Sequence, residues 1–167
     1  MLPWLPQTSW PAELKNFVAA NAVDPTSPPR LATEEQTASI HELGNAVGGG
    51  SRGDQLRSAL YLAIGDLHAS HELSQDDASA IASLLHGVMH RREGDFGNSI
   101  YWFNRCRSLK LGESAGETYS PEGLTEEYQQ AFDARGGQLK PRAKADLEAI
   151  HEASWREWRA IVDAILV

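Results

Sequence analysis

An all-α fold follows from three features of the chain. From Gln55 onward apolar residues recur at three- and four-residue spacing, no stretch alternates apolar and polar residues over a convincing strand length, and glycines and serines punctuate the periodic segments. The expected architecture is an irregular helical bundle of five to six helices, including a tetratricopeptide-like hairpin. A Pro-rich N-terminal arm packs on it. One domain over 1–167 is long enough to bury a sizeable core. Its arm, 1–53, is Pro/Gly-rich with short helices, and its helical body covers 54–167.

In the arm, "PAELKNFVAANAV" and "TEEQTASIHELGNAV" each predict a short helix, the second ended by Gly48–Gly50. Six of the eight prolines fall here and keep those helices short, while Trp4 and Trp10 are expected to seat the arm on the body. "GGGSRGD" reads as a flexible connection with Asp54 as the N-cap of the next helix; it lacks the Gly-Lys-Ser/Thr ending of a phosphate loop.

The body opens with "QLRSALYLAIGDLHASHEL", where Leu56, Leu60, Ala63, Ile64, Leu67 and His71 make one stripe. "LSQDDASAIASLLHGVMHRRE" follows, with Ser74 as cap and acidic residues in the first turn, where the helix dipole favours them. Gly94 punctuates before "NSIYWFNRCRSLKL". Ser120-Pro121 opens "PEGLTEEYQQAFDA", which Gly136-Gly137 is expected to end. The last helix is predicted from Pro141 to Val167, with Leu147, Ile150, Ser154, Trp158, Ile161, Val162 and Ile165 inward.

A formal charge of −8 argues against a general nucleic-acid binder and disfavours anionic membranes. Cys106 is the single cysteine, so an internal disulfide is impossible, and its inward position marks a core thiol. "MLPWLPQTSWP" does not read as a signal peptide, and no run approaches the roughly 20 apolar residues of a bilayer span. The expectation is a cytoplasmic protein, monomer or homodimer, with a protein or small-molecule partner and neither nucleic acid nor membrane.

Gly87, Gly94, Asp95, Phe96, Ser99, Phe103 and Cys106 together resemble the tetratricopeptide helix-turn-helix pattern. Small residues there let two helices approach, glycine permits the turn and aromatics fill the groove. No second copy stands at a 34-residue offset, so the resemblance implies one hairpin and not an array. "HGVMHRREGDFGNSIYWF" also resembles the signature of a family of small, functionally uncharacterised helical proteins, more loosely continued in "DLHASHELSQ" and "ASWREWRAIVDAIL". That likeness implies fold and relatedness and carries no activity.

The histidines are where chemistry is expected. His86 and His90 stand at i and i+4, the spacing by which two imidazoles of one helix hold a single metal ion. Glu93 follows at i+7, roughly 10 Å along the axis from His86. A third metal ligand would come from another helix: His71, Asp66 or His151. A turn centred near Ser74-Gln75 puts His71 about two turns away. On the other side His90 is expected near Asn98 and His86 near Trp102. Glu93 or Asp95 is expected to hold Arg91, Arg92 or Arg105.

Two functions follow. The first is a non-enzymatic helical binding or scaffold protein with a polar His-containing groove lined by Asn98, Tyr101, Trp102 and Arg105. The alternative is a metal- or small-ligand-dependent enzyme using the His86/His90 pair, with Glu93, Asp66 or His71 completing the site and a divalent metal as cofactor. A histidine of near-neutral pKa beside Glu93 or Asp66 also supports acid/base work without a metal.

Overall fold

The computed structural model describes residues 9–111, 115–116, 119–143 and 145–167. Among them are eight helices: α1 (Ala12–Asn21), α2 (Glu34–Ala46), α3 (Gly50–Ile64), α4 (Leu67–Ser74), α5 (Ala80–Glu93), α6 (Phe96–Arg105), α7 (Pro121–Ala131) and α8 (Leu147–Leu166). An antiparallel hairpin, β1 (Phe132–Arg135) and β2 (Gln138–Pro141), separates the last two. The all-α fold stands, with more and shorter helices than the five to six expected.

The extra helices come from capping. Gly65 takes a left-handed φ of 89° and closes α3, and the Asp66 side chain accepts a hydrogen bond from the Ala69 backbone to open α4. The predicted helix through "AIGDL" is therefore two helices folded back on one another. Ser79, not Ser74, caps α5 by accepting from the Ala82 N–H at 3.2 Å. Ser74 is the last residue of α4, buried, with its hydroxyl donating to the Ser70 carbonyl at 2.9 Å. Gly94 (φ 81°) and Asp95 end α5 and open α6 as Gly65 and Asp66 do one hairpin earlier.

The two hairpins are turned by the same residues. Gly65, Asp66 and Ser70 correspond to Gly94, Asp95 and Ser99, each 29 positions later (94 − 65 = 29). Both serines bond across their hairpin over twelve residues: the Ser70 hydroxyl lies 2.9 Å from that of Ser58, and Ser99 donates to the Gly87 carbonyl at 2.8 Å.

Gly48–Gly53 is a tight corner, not a flexible connection. A Cβ on Gly53 would stand 2.7 Å from the Gly44 carbonyl oxygen, so α2 and α3 approach through bare backbone. The expected boundary at 53/54 falls inside α3, and Asp54 caps nothing; it pairs with Arg57 at 2.6 Å. Further on, α7 stops at Ala131. Gly136 and Gly137, both with positive φ (61° and 72°), form the two-residue turn of the β-hairpin instead of a helix end. Asp146 caps α8, which spans 20 residues, about 30 Å. No described helix is long and apolar enough to cross a membrane.

The core lies where α8 crosses α3 and α5. Trp158 donates its indole N–H to the Ala59 carbonyl at 2.7 Å. Trp10 of the arm meets the Trp158 ring edge-on at 5.7 Å and donates to Asp163 at 2.6 Å. The arm is thus seated as expected at Trp10; Trp4 lies outside the described residues.

Candidate metal centre

Because Gly65 and Asp66 break the helix and the turn runs through Gln75–Ser79, α4 lies about two turns further along α5 than the simple hairpin count gives. His71 then faces His86 and His90 and is not two turns away. The ring centroids are 4.6 Å apart for His71–His86, 4.8 Å for His86–His90 and 5.7 Å for His71–His90. One nitrogen of each lies within 4.8 Å of the others. His86 and His90 are buried and His71 half-buried.

The hydrogen bonds select a tautomer. Ser74 has one hydroxyl proton, donated to Ser70, so its oxygen accepts from Nδ1–H of His86 at 3.2 Å. His90 donates Nδ1–H to the Glu93 carboxylate at 3.2 Å, and its Nε2 accepts from the Asn98 amide at 3.0 Å. Both rings therefore carry the proton on Nδ1 and a lone pair on Nε2. A carboxylate behind a ligating imidazole fixes its orientation and raises its basicity. Burial, then the neighbouring His90 and His71, hold His86 well down, at about 4, so that it is neutral and able to coordinate at physiological pH.

Three nitrogens at most 4.8 Å apart put a central ion no more than about 2.8 Å from each (4.8/√3), against about 2.0–2.1 Å for a Zn–N bond. Closing that gap takes small side-chain rotations, with Asn98 yielding its place on Nε2 of His90. Three protein ligands leave a fourth position for water or another donor.

Trp102 lies against His86, centroids 4.1 Å apart and planes 31° apart. Arg105 stacks on Trp102 at 5.1 Å and its guanidinium donates to the Tyr101 hydroxyl at 3.4 Å. Asn98 and Trp102 thus touch the triad as expected, and Tyr101 and Arg105 extend the same face of α6 into solvent. The three rings of "YWF" diverge: Tyr101 is exposed, Trp102 half-buried, Phe103 fully buried.

Other expected participants are elsewhere. Asp66 is consumed as a cap, its second oxygen accepting from the Ala32 N–H at 2.8 Å, which removes it from both ligand and catalytic roles at this site. His151 sits across the molecule with Thr26 (2.9 Å) and Asp24 (3.2 Å). Neither Glu93 nor Asp95 holds an arginine: Glu93 serves His90, and Asp95 accepts from the Asn98 backbone. Cys106 is the expected core thiol, pushed up to about 11 by burial.

Arg91 instead reaches Glu157 of α8, both fully buried, in a two-pronged ion pair that the Tyr119 hydroxyl joins. Burial is the largest influence and opposes the Arg91 charge, yet the Glu157 carboxylate, its hydrogen bond and the neighbouring Tyr128 and Tyr119 together outweigh it and keep the guanidinium above its ordinary value. Sequence reasoning passed over Glu157. The available signal was its place in "WREW", three residues after Ser154 and four before Ile161, on the inward stripe.

A pH prediction follows from His86. Its folded value near 4 lies below the 6.5 of an exposed, partner-free imidazole in the unfolded chain, so between these the unfolded state binds the extra proton. The contribution is intact above about pH 6.5, declines as pH falls, and is gone below about 4. Denaturant titrations of metal-free protein should lose on the order of 1–3 kcal/mol over that window from this group. His86→Phe should flatten that part of the profile.

Compared with known protein families, curated proteins and solved structures, the chain matches none.

Proposed function

We propose that this protein binds a divalent transition metal through His71, His86 and His90, and that the metal, with the adjoining face of α6, is its functional centre. The observation that carries this reading is the convergence of three imidazole nitrogens within 4.8 Å, two of them in the Nδ1–H tautomer. A structural network would satisfy both nitrogens of each ring; among the described residues the hydrogen bond of His86 is made by Nδ1, which leaves the Nε2 lone pair for another partner. An all-nitrogen set of borderline softness favours Zn²⁺, with Co²⁺ and Ni²⁺ as close competitors.

The face of Asn98, Tyr101, Trp102 and Arg105 supports the recognition half of this function. A ligand that fills the fourth coordination position would lie near an exposed phenol and an exposed guanidinium. At the metal, bound water would have its pKa lowered to about 7, the basis of Lewis-acid and hydrolytic chemistry. Glu93, engaged with His90, acts in this reading as the residue that orients a ligand and not as a general base. The lone, buried Cys106 supports a reducing, cytoplasmic setting.

Titration of chelator-treated protein with Co²⁺ tests the proposal. Wild type should develop the intense visible bands of a four- or five-coordinate site at one equivalent. His71→Ala, His86→Ala and His90→Ala should each weaken binding by at least 100-fold, and Glu93→Gln by about 10–100-fold. Failure of wild type to bind, or a His71→Ala variant that binds like wild type, would remove the reading.

A further inference from the structure

His90 is held from both sides of its ring. Glu93 accepts its Nδ1–H at 3.2 Å, and the Asn98 amide donates to its Nε2 at 3.0 Å. The two partners belong to different helices: Glu93 ends α5, while Asn98 lies in the first turn of α6. With its proton committed to Glu93, the ring keeps one lone pair, and Nε2 carries it. That lone pair is the one a metal ion would use, and Asn98 stands on it.

The lone pair of an imidazole nitrogen lies in the ring plane and points one way, so a hydrogen-bond donor and a metal ion approach along the same line. An ion on that line, about 2.1 Å from Nε2, would leave only about 0.9 Å to an amide nitrogen 3.0 Å away (3.0 − 2.1). Amide and ion therefore exclude each other. The amide has room to leave. Asn98 is half-buried, and its backbone N–H is fixed by the Asp95 carboxylate at 3.1 Å. Helix α6 can stay in place while this one side chain turns toward solvent. Trp102, one turn further along α6, makes its own separate contact with His86.

The sign of the effect distinguishes this role from a structural one. A group that only shapes the site weakens metal binding when it is removed. Asn98 stabilises the metal-free ring, so its hydrogen bond must break before the ion enters, and its removal tightens binding. Glu93 acts on the same ring with the opposite sign, since a carboxylate behind a ligating imidazole orients it and raises its basicity.

We propose that Asn98 is a latch on the metal centre: in the metal-free protein its amide closes the ligating nitrogen of His90, and an ion binds only by displacing it. The latch presupposes the metal site proposed above. It adds that the empty site is held shut from α6, the helix that carries Tyr101, Trp102 and Arg105, so that loading the ion releases a contact between α5 and that face.

The chelator-treated full chain is titrated with Co²⁺ against a competing chelator of known affinity. Asn98→Ala should bind about 2–10-fold more tightly than wild type, the worth of one net hydrogen bond, whereas Glu93→Gln binds more weakly. In metal-free protein the ¹⁵N resonance of His90 Nε2 should move in Asn98→Ala, which lacks the donor. In wild type the side-chain amide protons of Asn98 should shift toward solvent-exposed values as Zn²⁺ is added, complete at one equivalent. That measurement decides the matter should the alanine variant not fold. Wild type that binds Co²⁺ with Asn98→Ala no tighter, or Asn98 amide protons that Zn²⁺ leaves unmoved, would overturn the latch and leave the metal centre standing. Wild type that binds neither ion removes both.

Discussion

Glutamine in place of Glu157 is expected to cost about 3–5 kcal/mol of folding stability, because it removes one partner of a fully buried ion pair and strands the other. Arg91 cannot relax into water: it is 1% exposed, with its guanidinium against the Phe103 and Tyr128 rings at 5.5 and 5.2 Å. Arg92 lies next to it in sequence and brings a second positive charge. The amide of glutamine keeps one acceptor but turns N–H donors toward the guanidinium and leaves Tyr119 with a poorer acceptor. For a chain of this length the melting temperature should fall by about 6–20 °C. Equilibrium urea unfolding with an unchanged m-value checks that the loss is one of stability. The double variant Arg91→Met/Glu157→Leu removes both charges and should recover most of the loss, since apolar residues of similar volume replace buried ion pairs at little cost. A single-variant cost below about 1 kcal/mol would mean that the pair is solvated in solution.

How much of this was legible in the sequence depends on which interaction decides each feature. The helical class, the inward stripe of α8 and the contacts of His86 with Trp102 and His90 with Asn98 come from spacing alone, and they are present. Capping was harder. Whether Ser74 or Ser79 starts α5 depends on which serine finds a free N–H, and Asp77 settles it by accepting from the Ser79 N–H at 2.8 Å, from Ser51 and from Gln55. Those last two partners lie on α3, more than twenty residues earlier, so no local pattern shows them. A shift of four or five residues there carries His71 from two turns away into contact with His86. The β-hairpin, by contrast, did carry a local signal: "DARGGQ" puts Gly-Gly between two short segments, the pattern of a two-residue turn with positive φ at both positions. The same Gly-Gly pair is equally a helix-stop signal, which is why spacing alone predicts an end to α7 there and not a turn. Arg92 shows the opposite limit. It is buried and donates to the Leu62 carbonyl, 30 residues earlier, a partner that nothing near Arg92 in the sequence marks.

Alanine at Gly87 should be the second most damaging single change, although alanine favours helix over glycine by about 1 kcal/mol. Its Cβ would lie 2.4 Å from Cε1 and 2.6 Å from Cδ1 of Phe103. That ring is fully buried and backed by the Arg91 guanidinium, so it cannot swing into solvent. Either α5 and α6 separate or the ring leaves its rotamer, and overpacking of this kind costs about 1–3 kcal/mol, here at the upper end because a ring and not a flexible chain must move. Gly87 lies between the two buried histidines, so separation also draws His90 from Asn98 and His86 from Trp102. Chemical denaturation should therefore show the loss of stability, and cobalt titration a weakening of binding by several-fold. Leucine at 103 removes the colliding ring atoms. If Gly87→Ala/Phe103→Leu regains the Gly87→Ala loss and cobalt affinity returns with it, the helix separation and not the missing glycine sets the geometry of the three imidazoles. A Gly87→Ala variant more stable than wild type would instead mean that α5 and α6 do not approach at this position as closely as the 2.8 Å bond from Ser99 to the Gly87 carbonyl requires.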